Sequence, residues 1–176
     1  MMTPHLERLY SKQDIATAVK YLAHQLDRDF TDKSPVIVAV LKGSFIFLAD
    51  LVRQMKTPLR SIEFIGLSSY GMATVSSGKV TVTVDLPANT LEGQEVVLVE
   101  DIVDTGITTA AAVQYIQDLQ AKSVAVCTLL DKPARREASI PVDYIGLSVP
   151  NQFIVGYGID FDQKYRQLPE IYTLQE

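Results

Sequence analysis

The chain has 176 residues, 47% of them hydrophobic, enough for one compact domain whose core needs neither disulfides nor a structural metal. Its single cysteine, Cys127, excludes an internal disulfide and points to a reducing compartment, the cytoplasm. A formal net charge of −5 argues against general attraction to nucleic acid, yet phosphate ligands remain open, since backbone N–H groups, a metal and a few local cations suffice to hold them.

In the N-terminal segment, Ser11 and Asp14 resemble a capping box with Asp in place of Glu, and Ile15, Ala18, Val19, Leu22 and Leu26 follow at helical spacing. The spacing predicts a helix from Lys12 to about Asp29. The run PVIVAVLKGSFIFLADLVRQM then passes from a β-branched stretch through a Lys-Gly turn into an apolar segment of helical length, a strand, loop and helix. The stretch lacks polar alternation, as expected of a parallel strand covered on both faces. Its longest apolar run, Val36 to Leu41, is far too short to span a bilayer, and neither a signal peptide nor a membrane anchor is expected.

Ser61 to Ser68 reads as another strand, and SSYGMATVSSGK as a mobile loop at about 68–80. Lys79 to Asp85 alternates valine with threonine, the period of a half-exposed strand, and Pro87 to Gly93 supplies a turn. VVLVEDIVDTGITTAAAVQYIQDLQ repeats the strand, loop, helix plan, and Ser123 to Leu130 gives a further buried strand. Alternating β and α units imply an α/β fold with a mainly parallel, twisted sheet flanked by helices. The proline-rich remainder, from Asp131, reads as short strands and loops packed beside that sheet, including Tyr144 to Val149 and Phe153 to Tyr157.

The strongest chemical signal is VVLVEDIVDTGITT. A buried strand ends where two adjacent carboxylates, Glu100 and Asp101, appear, and ligands of open α/β sheets bind beyond the carboxyl ends of strands. Asp104 to Thr109 then lead into a helix, so their backbone donors and hydroxyls lie at a helix N-terminus, where anions bind. Gly106 allows a positive φ and a close approach. A plain helix cap would need only one of these side chains and leaves Glu100 and Asp101 without a purpose. The string is neither a Walker A loop nor a GxGxxG turn.

The string resembles the phosphoribosyl pyrophosphate loop of type I phosphoribosyltransferases. The resemblance continues through LKGSF at 41–45, SSYG at 68–71, LLDKPARR at 129–136 and VPNQFIVGYGIDFDQKYRQLPEI at 149–171, and it points to the hypoxanthine and hypoxanthine-guanine branch. Ile107 stands where some relatives carry lysine. The family fold implied is a single domain over 1–176, with a small hood and the mobile loop.

The resemblance implies transfer of the 5-phosphoribosyl group to N9 of hypoxanthine or guanine, giving IMP or GMP and pyrophosphate with the help of Mg2+. Glu100 and Asp101 are then expected at the ribose hydroxyls and the metal, with Asp160 as a further metal ligand. Asp104 becomes the general base or proton carrier at N7. Thr105, Gly106, Ile107 and Thr108 hold the 5′-phosphate. Lys42 and Gly43, behind a cis Leu41–Lys42 peptide, meet pyrophosphate together with Arg136 and Arg166. Lys132 donates to O6, Phe153 stacks on the base and the backbone of Ile154 meets its Watson–Crick edge. Ser69 and Tyr70 belong to the loop that closes over the reaction centre.

Taken alone, Lys42 reads equally as a solvated lysine at a strand end, Arg136 and Arg166 read as surface residues and Phe153 as core. His5 and His24 lack metal-ligand spacing and receive no role. A homodimer or homotetramer is expected, with no nucleic acid or membrane partner. The competing reading is a regulatory phosphoribosyltransferase-like module that senses nucleotides and binds nucleic acid. That module should carry a basic surface, whereas this chain is acidic overall.

Overall fold

The computed structural model describes residues 5–69 and 80–175. Its elements run β1 (His5–Tyr10), α1 (Lys12–Asp29), β2 (Val36–Leu41), α2 (Phe45–Gln54), β3 (Ser61–Ser69), β4 (Val80–Val84), β5 (Glu95–Val103), α3 (Ile107–Asp118), β6 (Ser123–Asp131), β7 (Tyr144–Ser148), β8 (Phe153–Val155) and β9 (Ile171–Gln175). Six strands form one sheet in the order β4-β3-β2-β5-β6-β7, and β1-β9-β8 form a second, smaller one. Within the large sheet β3, β2, β5, β6 and β7 are parallel, and β4 pairs antiparallel with β3.

The unbroken apolar runs of β2 and β5 have a simple geometric reading. Alternate residues of a strand face opposite sides, so a strand covered on both faces must be apolar at every position. Ile37, Ala39, Val97 and Val99 pack with α1 and α2 on one face. Val36, Val38, Val40, Val96 and Leu98 pack with Ala112 and Ile116 of α3 on the other. The helix expected at Lys12–Asp29 has those bounds. Its capping box is complete, with Ser11 Oγ accepting from Asp14 N at 3.2 Å and Asp14 Oδ2 accepting from Ser11 N at 2.9 Å.

Two regions depart from the sequence reading. Tyr144–Ser148 was expected beside the main sheet but is its edge strand, paired in parallel with β6 from Cys127↔Tyr144 to Asp131↔Ser148. The N-terminal HLERLY, to which the sequence reading assigned no element, is β1, made a strand by pairing with the far end of the chain, His5↔Gln175 to Tyr10↔Ile171. Ile154 of β8 and Ile171 of β9 join the same core as α1 and α2, so the small sheet sits on the α1–α2 side. Among the described residues, no helix is long and apolar enough to cross a membrane.

Leu98 lies at the centre of the large sheet with no exposed surface. Leu98→Ala should lower the unfolding free energy by about 2–5 kcal/mol, read from the urea midpoint at unchanged slope.

Candidate active site

The parallel pairing of β2 with β5, ending at Ala39↔Val99, carries both strands to the same edge of the sheet. There the turn after β2 lies against the carboxylates that end β5. Gly43 is required by this approach: a Cβ at that position would lie 1.7 Å from Asp101 Oδ2. The peptide Leu41–Lys42 is cis, as expected, and Lys42 is exposed. A cavity of about 210 Å³ opens at this edge, lined by Leu41, Gly43, Glu100, Asp101, Asp104 and Thr108 among others.

The two carboxylates at its floor are poorly solvated. Glu100 is only 4% exposed, and its Oε1 accepts from Thr109 Oγ1 at 3.2 Å. Burial, with the neighbouring Asp101 charge, pushes the Glu100 carboxyl well above the usual carboxylate range. Burial likewise raises Asp101 to about 6. Two adjacent carboxylates in such surroundings favour a proton, or a cation that replaces it. The donors are all oxygen, which suits a hard dication. Among the described residues, no three His, Cys, Asp or Glu side chains gather closely enough to form a metal cage.

Beyond β5 the chain turns at Gly106, whose φ of +82° lies in the left-handed region, and enters α3 at Ile107. A Cβ on Gly106 would meet Arg136 Cδ at 3.0 Å. The segment after β6 clasps this loop. Lys132 N donates to Val103 O at 3.0 Å, and Glu137 N and Ala138 N donate to Thr105 O at 2.9 and 3.0 Å. Carbonyls of the loop are thereby occupied from behind. The first amides of α3 have no intrahelical acceptor and, with the helix dipole, form an anion site.

The parallel register of β5 and β6 ends at Val103↔Asp131, so the next residue on each strand, Asp104 and Lys132, come side by side. Lys132 is 4% exposed. Its Nζ donates to Asp104 Oδ2 at 3.3 Å and to Gln152 O at 2.9 Å. An ammonium has three donors, so one remains beyond these two bonds. Asp104 Oδ1 is buried and accepts no hydrogen bond from the described residues. A spare donor and a spare buried acceptor thus stand on neighbouring side chains, and unpaired polar atoms withdrawn from water are costly.

Phe153, which the residue pattern alone would place in the core, is 55% exposed and meets Phe161 edge-on, with ring centroids 5.8 Å apart. Ile154 is buried, and its place in β8 is set by pairing with Thr173. On the loop beyond, Asp160 Oδ1 pairs with Arg166 at 2.7 Å and Oδ2 accepts from Gln163 N at 2.8 Å. Arg166 also donates to Gly158 O at 2.8 Å. Gly158 packs tightly on Gly43, so that this hood loop borders the turn after β2. Arg136, expected at pyrophosphate, pairs with Asp131 and donates to Asp104 O at 3.3 Å, which makes it a brace of the Gly106 loop in this arrangement. Ser69 ends β3, whereas Tyr70 lies outside the described residues. Sequence reasoning gave no role to Arg135 or Gln152, which flank the Lys132–Asp104 pair through contacts distant in sequence that leave no local signal.

Residues 5–162 match the model of the phosphoribosyl transferase domain family. The chain is 44% identical to a hypoxanthine-guanine phosphoribosyltransferase of Streptococcus thermophilus over 172 residues, covering 96% of this chain and 92% of that protein. It is 41% identical to the enzyme of the same name from Bacillus subtilis, covering 99% and 97%. The crystal structure of a hypoxanthine-guanine phosphoribosyltransferase from Bacillus anthracis superposes with a TM-score of 0.89 at 44% identity, covering 95% of this chain and 97% of the other.

Two expectations follow from the carboxylate floor. Gly43→Ala should destabilise the fold by about 1–3 kcal/mol through overpacking, and much of the loss should return in the Gly43→Ala/Asp101→Ala double variant, measured by urea unfolding. The second concerns pH. With Asp101 raised from 3.8 to about 6, the folded chain binds the extra proton between those values, so this group's contribution to stability falls as pH rises through the window. Asp101→Asn should therefore be more stable than the parent at pH 7 without divalent cations, and the difference should close by about pH 4.

Proposed function

The chain belongs to the phosphoribosyltransferase family, and we propose that it transfers the 5-phosphoribosyl group of phosphoribosyl pyrophosphate to N9 of hypoxanthine and guanine, a purine-salvage reaction. The observation that carries this reading is the Lys132–Asp104 pair, with its spare donor beside a spare buried acceptor. A 6-oxopurine that carries its proton at N7 presents the complement, O6 as acceptor beside N7–H as donor. Adenine would set a 6-amino group against an ammonium, and a site built to hydrogen-bond one group rejects its mismatch strongly.

In the reaction, N9 forms a bond to C1′ as the bond from C1′ to pyrophosphate breaks, and the N7 proton passes to Asp104 Oδ1. Lys132 holds O6, Phe153 stacks on the ring and the Ile154 backbone meets the Watson–Crick edge. The amides and hydroxyls of Thr105, Gly106, Ile107 and Thr108 take the 5′-phosphate at the start of α3. Lys42, Gly43, Arg136 and Arg166 take pyrophosphate, and without it Arg136 rests on Asp131 and Arg166 on Asp160. Glu100, Asp101 and Asp160 are the residues that would hold Mg2+, which supplies charge neutralisation of the leaving pyrophosphate when bound. The first two also face the ribose hydroxyls. No protein nucleophile is needed; alignment, electrostatics and proton transfer supply the acceleration.

This reading includes a single domain over 1–176, supported by the core that α1 and α2 share with Ile154 and Ile171. It includes a cytoplasmic location, supported by the lone, buried thiol of Cys127. Assembly as a homodimer or homotetramer rests on the resemblance to the hypoxanthine branch.

The test supplies phosphoribosyl pyrophosphate and Mg2+ with hypoxanthine, guanine, xanthine or adenine. Nucleotide should form with hypoxanthine and guanine and not with adenine, and Asp104→Asn should lower kcat by about 10²–10⁴-fold. Parental turnover in that variant would remove the proton-carrier role. Folded protein that turns over no base would point to the nucleotide-sensing module.

A further inference from the structure

Asp104 has a second cationic neighbour. Arg135 NH1 lies 3.4 Å from Asp104 Oδ2, the oxygen that also meets Lys132. From this geometry we infer that Arg135 is a positioning residue for the reaction, fixing the plane of the Asp104 carboxylate that takes the purine N7 proton. The inference rests on the proton-carrier role of Asp104.

Backbone geometry delivers Arg135 to that place. Lys132 is followed by a single 3₁₀ turn, Pro133–Arg135, in which Arg135 N donates to Lys132 O at 3.3 Å. One turn therefore brings both cations to one carboxylate oxygen. The next residue, Arg136, leaves the other way, to Asp131 and the carbonyls of Val103 and Asp104. The three cations of the segment thus divide their work: two address the Asp104 carboxylate and one addresses the backbone behind it.

Two partners on one oxygen matter because the terminal torsion of a carboxylate is broad, and a single contact leaves its plane free to swing. Lys132 must also keep a donor for O6. An arginine at Oδ2 limits that swing without using the lysine's last donor. Arg135 is 44% exposed at its side chain and contributes little to the core, so its removal should leave the fold intact.

The experiment is a double-mutant cycle on kcat with hypoxanthine, measured under single-turnover conditions with parent, Arg135→Ala, Asp104→Asn and the double variant, plus Arg135→Lys. Arg135→Ala should lower kcat by about fivefold, the scale of a partly exposed ion pair, with KM for phosphoribosyl pyrophosphate and the urea midpoint unchanged. The loss should vanish in the Asp104→Asn background, and Arg135→Lys should recover most of it. Parental kcat in Arg135→Ala, or an equal loss with and without Asp104, would overturn the inference while leaving the Asp104 role standing if Asp104→Asn is impaired. Parental turnover in Asp104→Asn would overturn both.

Discussion

A lysine ammonium that is almost completely withdrawn from water must be compensated where it sits, and the compensation of Lys132 organises the ends of the two central strands. The register of β5 against β6 sets Asp104 beside it, and the carbonyl of Gln152 takes a second of its hydrogens. What is left over, one N–H and one carboxylate oxygen, is a recognition surface in which each unmet group is expensive until a complementary ligand arrives. The turn that follows Lys132 also clasps the Gly106 loop. In the proposed reading the same few residues build the base subsite on one side and hold the anion subsite on the other, which refers base and phosphate to one pair of strand ends.

The second constraint is negative charge at the cavity floor. Glu100 and Asp101 sit where a parallel sheet leaves room for ligands, and burial raises both above the ordinary carboxylate range. Gly43 lets the turn after β2 close over Asp101, and Gly158 lets the hood loop close on that turn. Three chain segments, distant in sequence, are thus held together at one cavity by close approaches that a side chain at Gly43 or Gly158 would forbid. An oxygen-lined floor that favours a cation suits substrates that arrive with several phosphate charges.

The sequence was most legible where local chemistry and fold agree. The strand, loop, helix units of β2–α2 and β5–α3 follow from apolar runs that stop at Lys42 and Glu100, and Gly106 announces a positive φ that the structure contains. The string from Glu100 to Thr109 was legible because adjacent acids and a helix start leave a surplus that capping does not consume. Less legible were features created by long-range pairing. HLERLY has no strand periodicity and becomes β1 only against Ile171–Gln175. Tyr144–Ser148 is short, and nothing local says that it extends the large sheet. Phe153 shows the limit of hydrophobicity as a guide, since its ring is exposed beside Phe161. Arg135 and Arg136 are neighbours of identical chemistry, and only the path of the 3₁₀ turn decides which one meets Asp104.

A crystal structure of the protein with IMP bound is the most direct test of the Lys132–Asp104 pair as the base subsite. Lys132 Nζ should lie within hydrogen-bonding distance of O6, Asp104 Oδ1 within the same reach of N7, and the base on Phe153 with the 5′-phosphate at the start of α3. A purine seated with O6 turned away from Lys132, or with Asp104 Oδ1 still facing no part of the base, would contradict it.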